Sequence, residues 1–209
     1  MFQYKSTAPE QTAELATKIG DLIKPGTIIC LDGDLGAGKT SIIKRFAYDE
    51  FEANETPVLE NGVASKLMRI SQEIIVNLII VDSMNERFSV IPKQFYRDAN
   101  AVLIVIDITD GNVLTKLEKR IKTARDLSSH NAVIFVIGNK TDLNSMRRIA
   151  TMDGASLAQR NNVTYKEVSA KTGSNIELVF EELANQLIEA KSRAPLKGSE
   201  KRTSRLNDK

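Results

Sequence analysis

Gly33-Asp34-Leu35-Gly36-Ala37-Gly38-Lys39-Thr40 follows directly on the apolar run Thr27-Ile28-Ile29-Cys30-Leu31-Asp32. The run reads as a buried strand, and the residues after it match the spacing G-x-x-x-x-G-K-[ST], with a helix expected to open at Lys39. Glycine at 33, 36 and 38 permits backbone conformations closed to other residues. The N–H groups of this loop, those of Asp34 and Ala37 among them, can therefore curl around phosphate oxygens. Lys39 is placed to reach the β- and γ-phosphates, which makes it the candidate catalytic cation. The Thr40 hydroxyl is a candidate Mg²⁺ ligand, and Ser41 follows it on the opening turn. The helix adds its partial positive N-terminus. A bland glycine turn is the alternative reading of the octapeptide, but the strand before it and the helix after it favour nucleotide binding.

The same pattern of short apolar runs and amphipathic stretches continues outward. Residues 10–24 place Ala13, Leu15, Ala16, Ile19, Leu22 and Ile23 at helical spacing, ended by Pro25-Gly26. After the helix from 39 to about 48, residues 49–62 read as a loop and 63–70 and 74–81 as strands. The stretch 83–91 is irregular and 92–100 helical. Residues 101–106 form a buried strand, 113–128 a helix and 132–137 another buried strand. A helix over 151–161, a short strand over 164–168 and a closing helix over 175–190 complete the order. Apolar strands alternating with helices predict an α/β fold with a mostly parallel, six-stranded sheet covered by helices on both faces. In such sheets ligands sit at the carboxyl ends of the strands, where the glycine-rich loop falls. Three units follow: an N-terminal helical extension (1–26), a phosphate-loop domain (27–190) and a basic tail (191–209).

Charge is nearly balanced, at +2 over 209 residues, so no nucleic-acid-like surplus is present. The tail alone is basic: residues 191–209 hold seven Lys/Arg against Glu200 and Asp208, with little to bury, and read as disordered. Cys30 is the single cysteine, so no disulfide can form within the chain. That suits a reducing cytoplasm. No membrane-spanning run or leader is apparent.

Two further loops follow strands. Asn139-Lys140-Thr141-Asp142 comes after the strand ending at Ile137-Gly138, and Ser169-Ala170-Lys171 after the one ending at Val168. Behind a phosphate loop, these resemble the guanine-specificity elements of small GTPases. Asp142 can accept both N–H groups on guanine's pyrimidine edge, where adenine offers no matching pair. Asn139 and the Ala170 N–H can address the remaining acceptors on the base, and the stems of Lys140 and Lys171 can pack on its faces. A buried carboxylate left without those donors is penalised, so the wrong base is rejected.

From Ser41 onward the chain resembles Rab-type GTPases of the Ras superfamily. The residues that carry the likeness are Ser41-Ile42-Ile43-Lys44-Arg45-Phe46, Glu86-Arg87-Phe88, Phe95-Tyr96-Arg97, Val105-Ile106-Asp107-Ile108-Thr109, Gly138 to Leu143 and Ser169 to Thr172. Over about 33–190 the resemblance implies a Ras-like fold, GTP/GDP as cofactor with Mg²⁺, and effector or exchange proteins as partners. It also implies a role in vesicle trafficking or signalling. The switches depart from the pattern. A Rab carries a Mg²⁺-binding threonine 18 residues beyond the position of Thr40, where this chain has Val58; Thr56 lies two residues away. The second switch normally reads Asp-x-x-Gly-Gln, but here it is Asp82-Ser83-Met84-Asn85 before Glu86, one residue short and without the glycine or the glutamine. Asp82 can still hold a Mg²⁺-bound water, and Glu86 is the candidate to orient a nucleophilic water. Leu35, where the family has a small residue, would crowd that water. The expectation is nucleotide binding with weak hydrolysis.

The front of the chain is different. Ser6, Thr12, Leu15, Ala16, Leu22, Pro25-Gly26, Ile28 and Gly33 to Thr40 resemble the TsaE family of bacterial ATPase subunits in tRNA threonylcarbamoyladenosine synthesis. That likeness covers about 6–40 and implies, as an alternative, an ATPase module. A non-switching nucleotide-bound scaffold is the third reading. Rab-like proteins attach to membranes through prenylated C-terminal cysteines, and residues 191–209 contain none. Without a lipid chain, the basic tail supports at most weak, salt-sensitive contact with an acidic membrane.

Overall fold

Strand β1 (Thr27–Gly33) forms where β-branched and apolar residues run without a break, and every residue but Ile28 is buried. The computed structural model describes residues 26–52, 62–82 and 93–193. β1 lies inside a six-stranded sheet of order β2-β3-β1-β4-β5-β6. Here β2 is Val63–Arg69, β3 Ile75–Asp82, β4 Ala101–Asp107, β5 Val133–Asn139 and β6 Thr164–Glu167. Only the β2–β3 pair is antiparallel among these strands; β1 runs parallel to β3 (Ile29 opposite Ile80) and to β4 (Leu31 opposite Leu103). After β1 the chain turns towards β2 and β3, and after β3 it turns back to β4 on the other side. The end of β1 is therefore the switch point where an open α/β sheet offers a crevice.

Alternation along the strands makes two cores, because successive side chains point to opposite faces. On one face Ile29, Leu31, Leu103, Val105 and Phe135 pack with helix α1 (Lys39–Tyr48) and helix α5 (Ile176–Arg193). On the other, Cys30, Val102, Ile104, Ile106 and Val136 meet α2 (Lys93–Asp98), α3 (Val113–Leu127) and α4 (Thr151–Arg160). The buried residues of α3 are Val113, Leu117, Ile121 and Ala124, an i, i+4, i+8, i+11 stripe. Phe46 and Phe180 stack with ring centroids 3.7 Å apart and lock α1 to α5. Lys66 of β2 covers the outer side of that pair, 4.2 Å from the Phe46 ring centroid.

The sheet, its mostly parallel order and the helices on both faces are as the sequence predicts. Differences fall at the element ends. β4 and β5 run on to Asp107 and Asn139, which face each other in the ladder, so two site residues are the last of their strands. A 3₁₀ turn over Thr141–Met146, not foreseen, carries the chain away from β5. α5 continues to Arg193, past the boundary at 190 drawn from charge and composition, and Lys191 Nζ lies 3.5 Å from the Thr27 hydroxyl. Nothing in Lys191-Ser192 stops a helix; the first breaker in sequence is Pro195. The expected N-terminal helix (10–24), Thr56, Val58, Glu86 and the tail beyond 193 lie outside the described residues.

A charged strut fixes the loop after β5 to β6. Arg147 grips Glu167 with both ends of its guanidinium, at 2.8 and 2.9 Å, and the Tyr165 hydroxyl donates to the same carboxylate at 2.9 Å. Burial pushes the Glu167 carboxyl up, but the bonds from Arg147 and Tyr165 outweigh it and hold it below the usual range. A carboxyl depressed in the folded state adds stability above its unfolded pKa and loses it as pH falls through the folded one. Acid titration of the melting temperature should therefore show a smaller loss below the ordinary glutamate range in Glu167→Gln than in wild type. Phe180→Ala should lower unfolding free energy by about 3–5 kcal/mol in chemical denaturation. Truncating the exposed Leu178 to alanine should change it by no more than about 0.5 kcal/mol.

Candidate nucleotide-binding site

Three loops converge at the carboxyl ends of β1, β5 and β6. The first is the glycine-rich turn. Gly33 has φ 148°, and a Cβ there would sit 2.2 Å from the Val105 carbonyl oxygen of the neighbouring strand. Gly38 has φ 91°, and a Cβ there would stand 2.3 Å from the Asn139 amide nitrogen. Both glycines are thus demanded by backbone conformation and by close approach. α1 opens at Lys39 with no side-chain cap and no acidic residue in its first turn. Its leading N–H groups and its dipole are left to an anion.

Lys39 is 5% exposed and folds back over the loop, donating to the carbonyls of Gly33 (2.9 Å) and Asp34 (3.0 Å). Burial lowers its pKa, against the raising effect of Asp82 and Asp32. The Thr40 hydroxyl donates to Asp82 Oδ2 in a short hydrogen bond across from the end of β3. These two oxygens stand side by side, and hard oxygen donors of this kind are what Mg²⁺ takes, completed by waters and phosphates. No cluster of three or more acidic, His or Cys ligands occurs among the described residues. Any cation here would depend on the ligand's own oxygens.

Asn139 joins the loops. It is 1% exposed; its Nδ2 donates to the Ala37 carbonyl at 2.9 Å, and its Oδ1 accepts the Ala170 N–H at 3.1 Å. The sequence reading aimed Asn139 and the Ala170 N–H at the base. In the structure they bond each other, and Asn139 is a brace between the phosphate loop and the 169–171 loop. Asp142, by contrast, is exposed, and the fully buried Ser169 hydroxyl donates to its Oδ1 at 2.6 Å. The Thr172 N–H in turn donates to Ser169 Oγ at 3.1 Å. Lys171 is exposed. Lys140, held at φ 73°, directs its amine to Asp107 Oδ2 at 2.6 Å. Burial would raise the Asp107 carboxyl, but the bonds from Lys140 and from Thr109 hold it below the usual range.

The structure thus gathers Gly33, Asp34, Gly36, Ala37, Gly38, Lys39, Thr40, Ser41, Asp82, Asn139, Lys140, Asp142, Ser169, Ala170 and Lys171 at one end of the sheet. It also shows residues that the sequence reading passed over. Arg45, in the second turn of α1, donates to the carbonyls of Ala170 (3.0 Å) and Lys171 (2.9 Å) and so clips the third loop to the phosphate helix. Asp32 and Arg120 form an ion pair at 3.2 Å beneath the first loop. Their signal in the sequence was polarity out of place: a carboxylate in an apolar strand, and an arginine beside Leu117 and Ile121 on the stripe α3 buries.

Comparison with known proteins agrees with this geometry. The model of the Ras family matches residues 28–189. Ras-related protein RABA1e of Arabidopsis thaliana is 30% identical over 171 residues, 82% of this chain and 79% of the relative. Ras-related protein Rab11B of Nicotiana tabacum is 31% identical, covering 80% and 77%. Human Ras-related protein Rab-31 is 33% identical, covering 76% and 82%. The glycine-rich loop lies within the Ras match, and the likeness of residues 6–40 to TsaE gains no support from these relatives. With its sheet order, its three converging loops and these similarities, the chain belongs to the Ras family as a Rab-like small GTPase.

Proposed function

We propose that the chain binds GTP and GDP with Mg²⁺, selects guanine through Asp142, and hydrolyses GTP slowly. The observation that carries this reading is the Asn139 brace, which ties the phosphate loop to the 169–171 loop, whose Ser169 in turn bonds the exposed Asp142 carboxylate. In this reading the N–H groups of 34–40 and the α1 N-terminus hold the phosphates, and Lys39 leaves its carbonyl partners to meet the β- and γ-oxygens. Thr40 and Asp82 would hold Mg²⁺, Asp82 through a bound water, and the ion would neutralise charge on the phosphates. Ser169 keeps the Asp142 carboxylate turned to the base, Arg45 holds the loop that carries Ser169, and the stems of Lys140 and Lys171 flank the ring.

Slow hydrolysis follows from what surrounds that grip. Phosphoryl transfer depends on positioning the water and stabilising charge. Val58 offers no oxygen where a Rab has its threonine, and the residues after Asp82 lack both the glycine and the glutamine. Thr56 as a substitute Mg²⁺ ligand and Glu86 as the water-orienting group are the remaining candidates in the sequence. Leu35, 85% exposed on the rim of the loop, sets an apolar side chain there. Rab-like partners that read the nucleotide state, and a cytoplasmic location with transient contact of the basic tail at acidic membranes, complete the proposal. No helix among the described residues is long and apolar enough to cross a membrane.

Affinities for GDP, a non-hydrolysable GTP analogue and ADP in Mg²⁺ test the proposal. Guanine nucleotides should bind and ADP should not; a preference for ADP would overturn it in favour of an ATPase. Equal GDP and GTP-analogue affinity with no change in surface would point to a scaffold instead of a switch. Asp142→Asn should lower the guanine preference by roughly a hundredfold, whereas Lys39→Ala should weaken nucleotides of both bases alike. In single-turnover assays GTP hydrolysis should fall below the order of 10⁻⁴ s⁻¹ seen for an unassisted small GTPase.

A further inference from the structure

Below the phosphate loop the sheet carries a charge cluster. Asp32 shares the face of β1 with Cys30, the face covered by α2 and α3. It is 4% exposed; its Oδ1 accepts the Gly33 N–H at 2.7 Å and Arg120 NH1 at 3.2 Å. The buried Tyr96 hydroxyl bonds the same carboxylate, and burial, then Asp32, pushes its ionisation up. The second guanidinium nitrogen of Arg120 donates to Asp34 Oδ1, in the loop itself. Asp34 Oδ2 is buried with no hydrogen-bond partner. Lys39 lies on the same residue from the other side, through the Asp34 carbonyl. Arg120 therefore offsets two carboxylates, Asp32 and Asp34, at the place where a polyphosphate of several negative charges is to be received.

A buried ion pair is a poor device for stability, since apolar residues of the same volume would serve as well. Its value here is electrostatic and local. With Arg120 removed, Asp32 and Asp34 outnumber Lys39 beside the anion site, and their repulsion of a phosphate is no longer offset. The guanidinium also bridges strand and loop, so it fixes Asp34, the second residue of the phosphate grip.

We propose that Arg120 is a positioning residue for nucleotide binding, which neutralises Asp32 and Asp34 and pins the phosphate loop open to a polyphosphate. This rests on the nucleotide-binding reading above. The test is the affinity of the full chain for a fluorescent GDP, with thermal melts of each variant free of nucleotide. Arg120→Gln should weaken GDP by about tenfold or more, and high salt should narrow the gap by screening the uncovered carboxylates. Arg120→Lys should keep most of the affinity. The double variant Arg120→Gln with Asp32→Asn removes one negative charge with the one positive charge lost and leaves Asp34 as the single uncovered carboxylate of the pair, so it should fold and bind GDP within about threefold of wild type. Wild-type affinity in Arg120→Gln overturns this inference alone. So does a double variant that folds yet binds as weakly as Arg120→Gln, because the side chain would then act by packing. A wild-type chain that retains no GDP overturns both this inference and the reading it rests on.

Discussion

One side-chain amide sets the geometry on which the site depends. Asn139 ends β5, where the ladder pairs it with Asp107, and from there it spans the Ala37 carbonyl on one side and the Ala170 N–H on the other. With almost no exposure, each bond is made away from competing water, and losing either would strand a buried polar group at a cost of about 1–3 kcal/mol. Gly38 exists in this form because the amide needs the space a Cβ would take. The phosphate loop, the Asp142 loop and the 169–171 loop are thereby held at one spacing by a rigid sheet, not by the ligand. Arg45 repeats the tie one layer out, from α1 to the same third loop.

Around that brace the fold places positive groups where an anion is to come and sets cations against Asp32, Asp34 and Asp107. Lys39 is buried and bonded to carbonyls, Lys140 is paired with Asp107, and Arg120 covers Asp32 and Asp34. Lys39 is the one that can leave its partners most readily, because carbonyl oxygens are weaker partners than carboxylates or phosphates. The arrangement is consistent with a pocket in which one cation moves to the ligand while the others keep the surroundings neutral.

The strands and helices were legible because apolar residues recur at the right periods: the run at 27–32, the stripe of Leu117, Ile121 and Ala124, and the strand at 101–106 could be read with no knowledge of their neighbours. The phosphate loop was legible because its spacing is itself the mechanism. What could not be read was long-range pairing. Nothing local in Asn139 says that its amide faces Ala37 and Ala170, more than thirty residues away along the chain in the nearer case. Asp32 and Arg120 are each anomalous in their own segment, but only the packing of α3 on β1 shows that the two anomalies cancel. The end of α5 was misplaced for a related reason: charge marks where burial stops, whereas a helix stops where backbone geometry changes. The charged residues of 191–193 satisfy the first condition and not the second.

The departures from the Rab pattern fall in a particular place, and that separates two properties usually found together. In the proposed reading Asn139, Ser169, Arg45, Lys39 and the Thr40–Asp82 pair serve to hold a nucleotide, and each is bonded within the fold. The losses in sequence, at Val58 and in the segment after Asp82, concern sensing the γ-phosphate and orienting water. On that reading, affinity for the base and the α- and β-phosphates would arise from groups fixed by the sheet and would not need those segments. Discrimination between di- and triphosphate requires a differential contact with the last phosphate, and a ligand without such a contact shifts no conformational equilibrium however tightly it binds. On the proposed reading, a chain with this distribution of residues serves first to retain a guanine nucleotide. Any switching must come from oxygens supplied elsewhere in the loops, with Thr56 and Glu86 the nearest in sequence, or from a partner that brings its own.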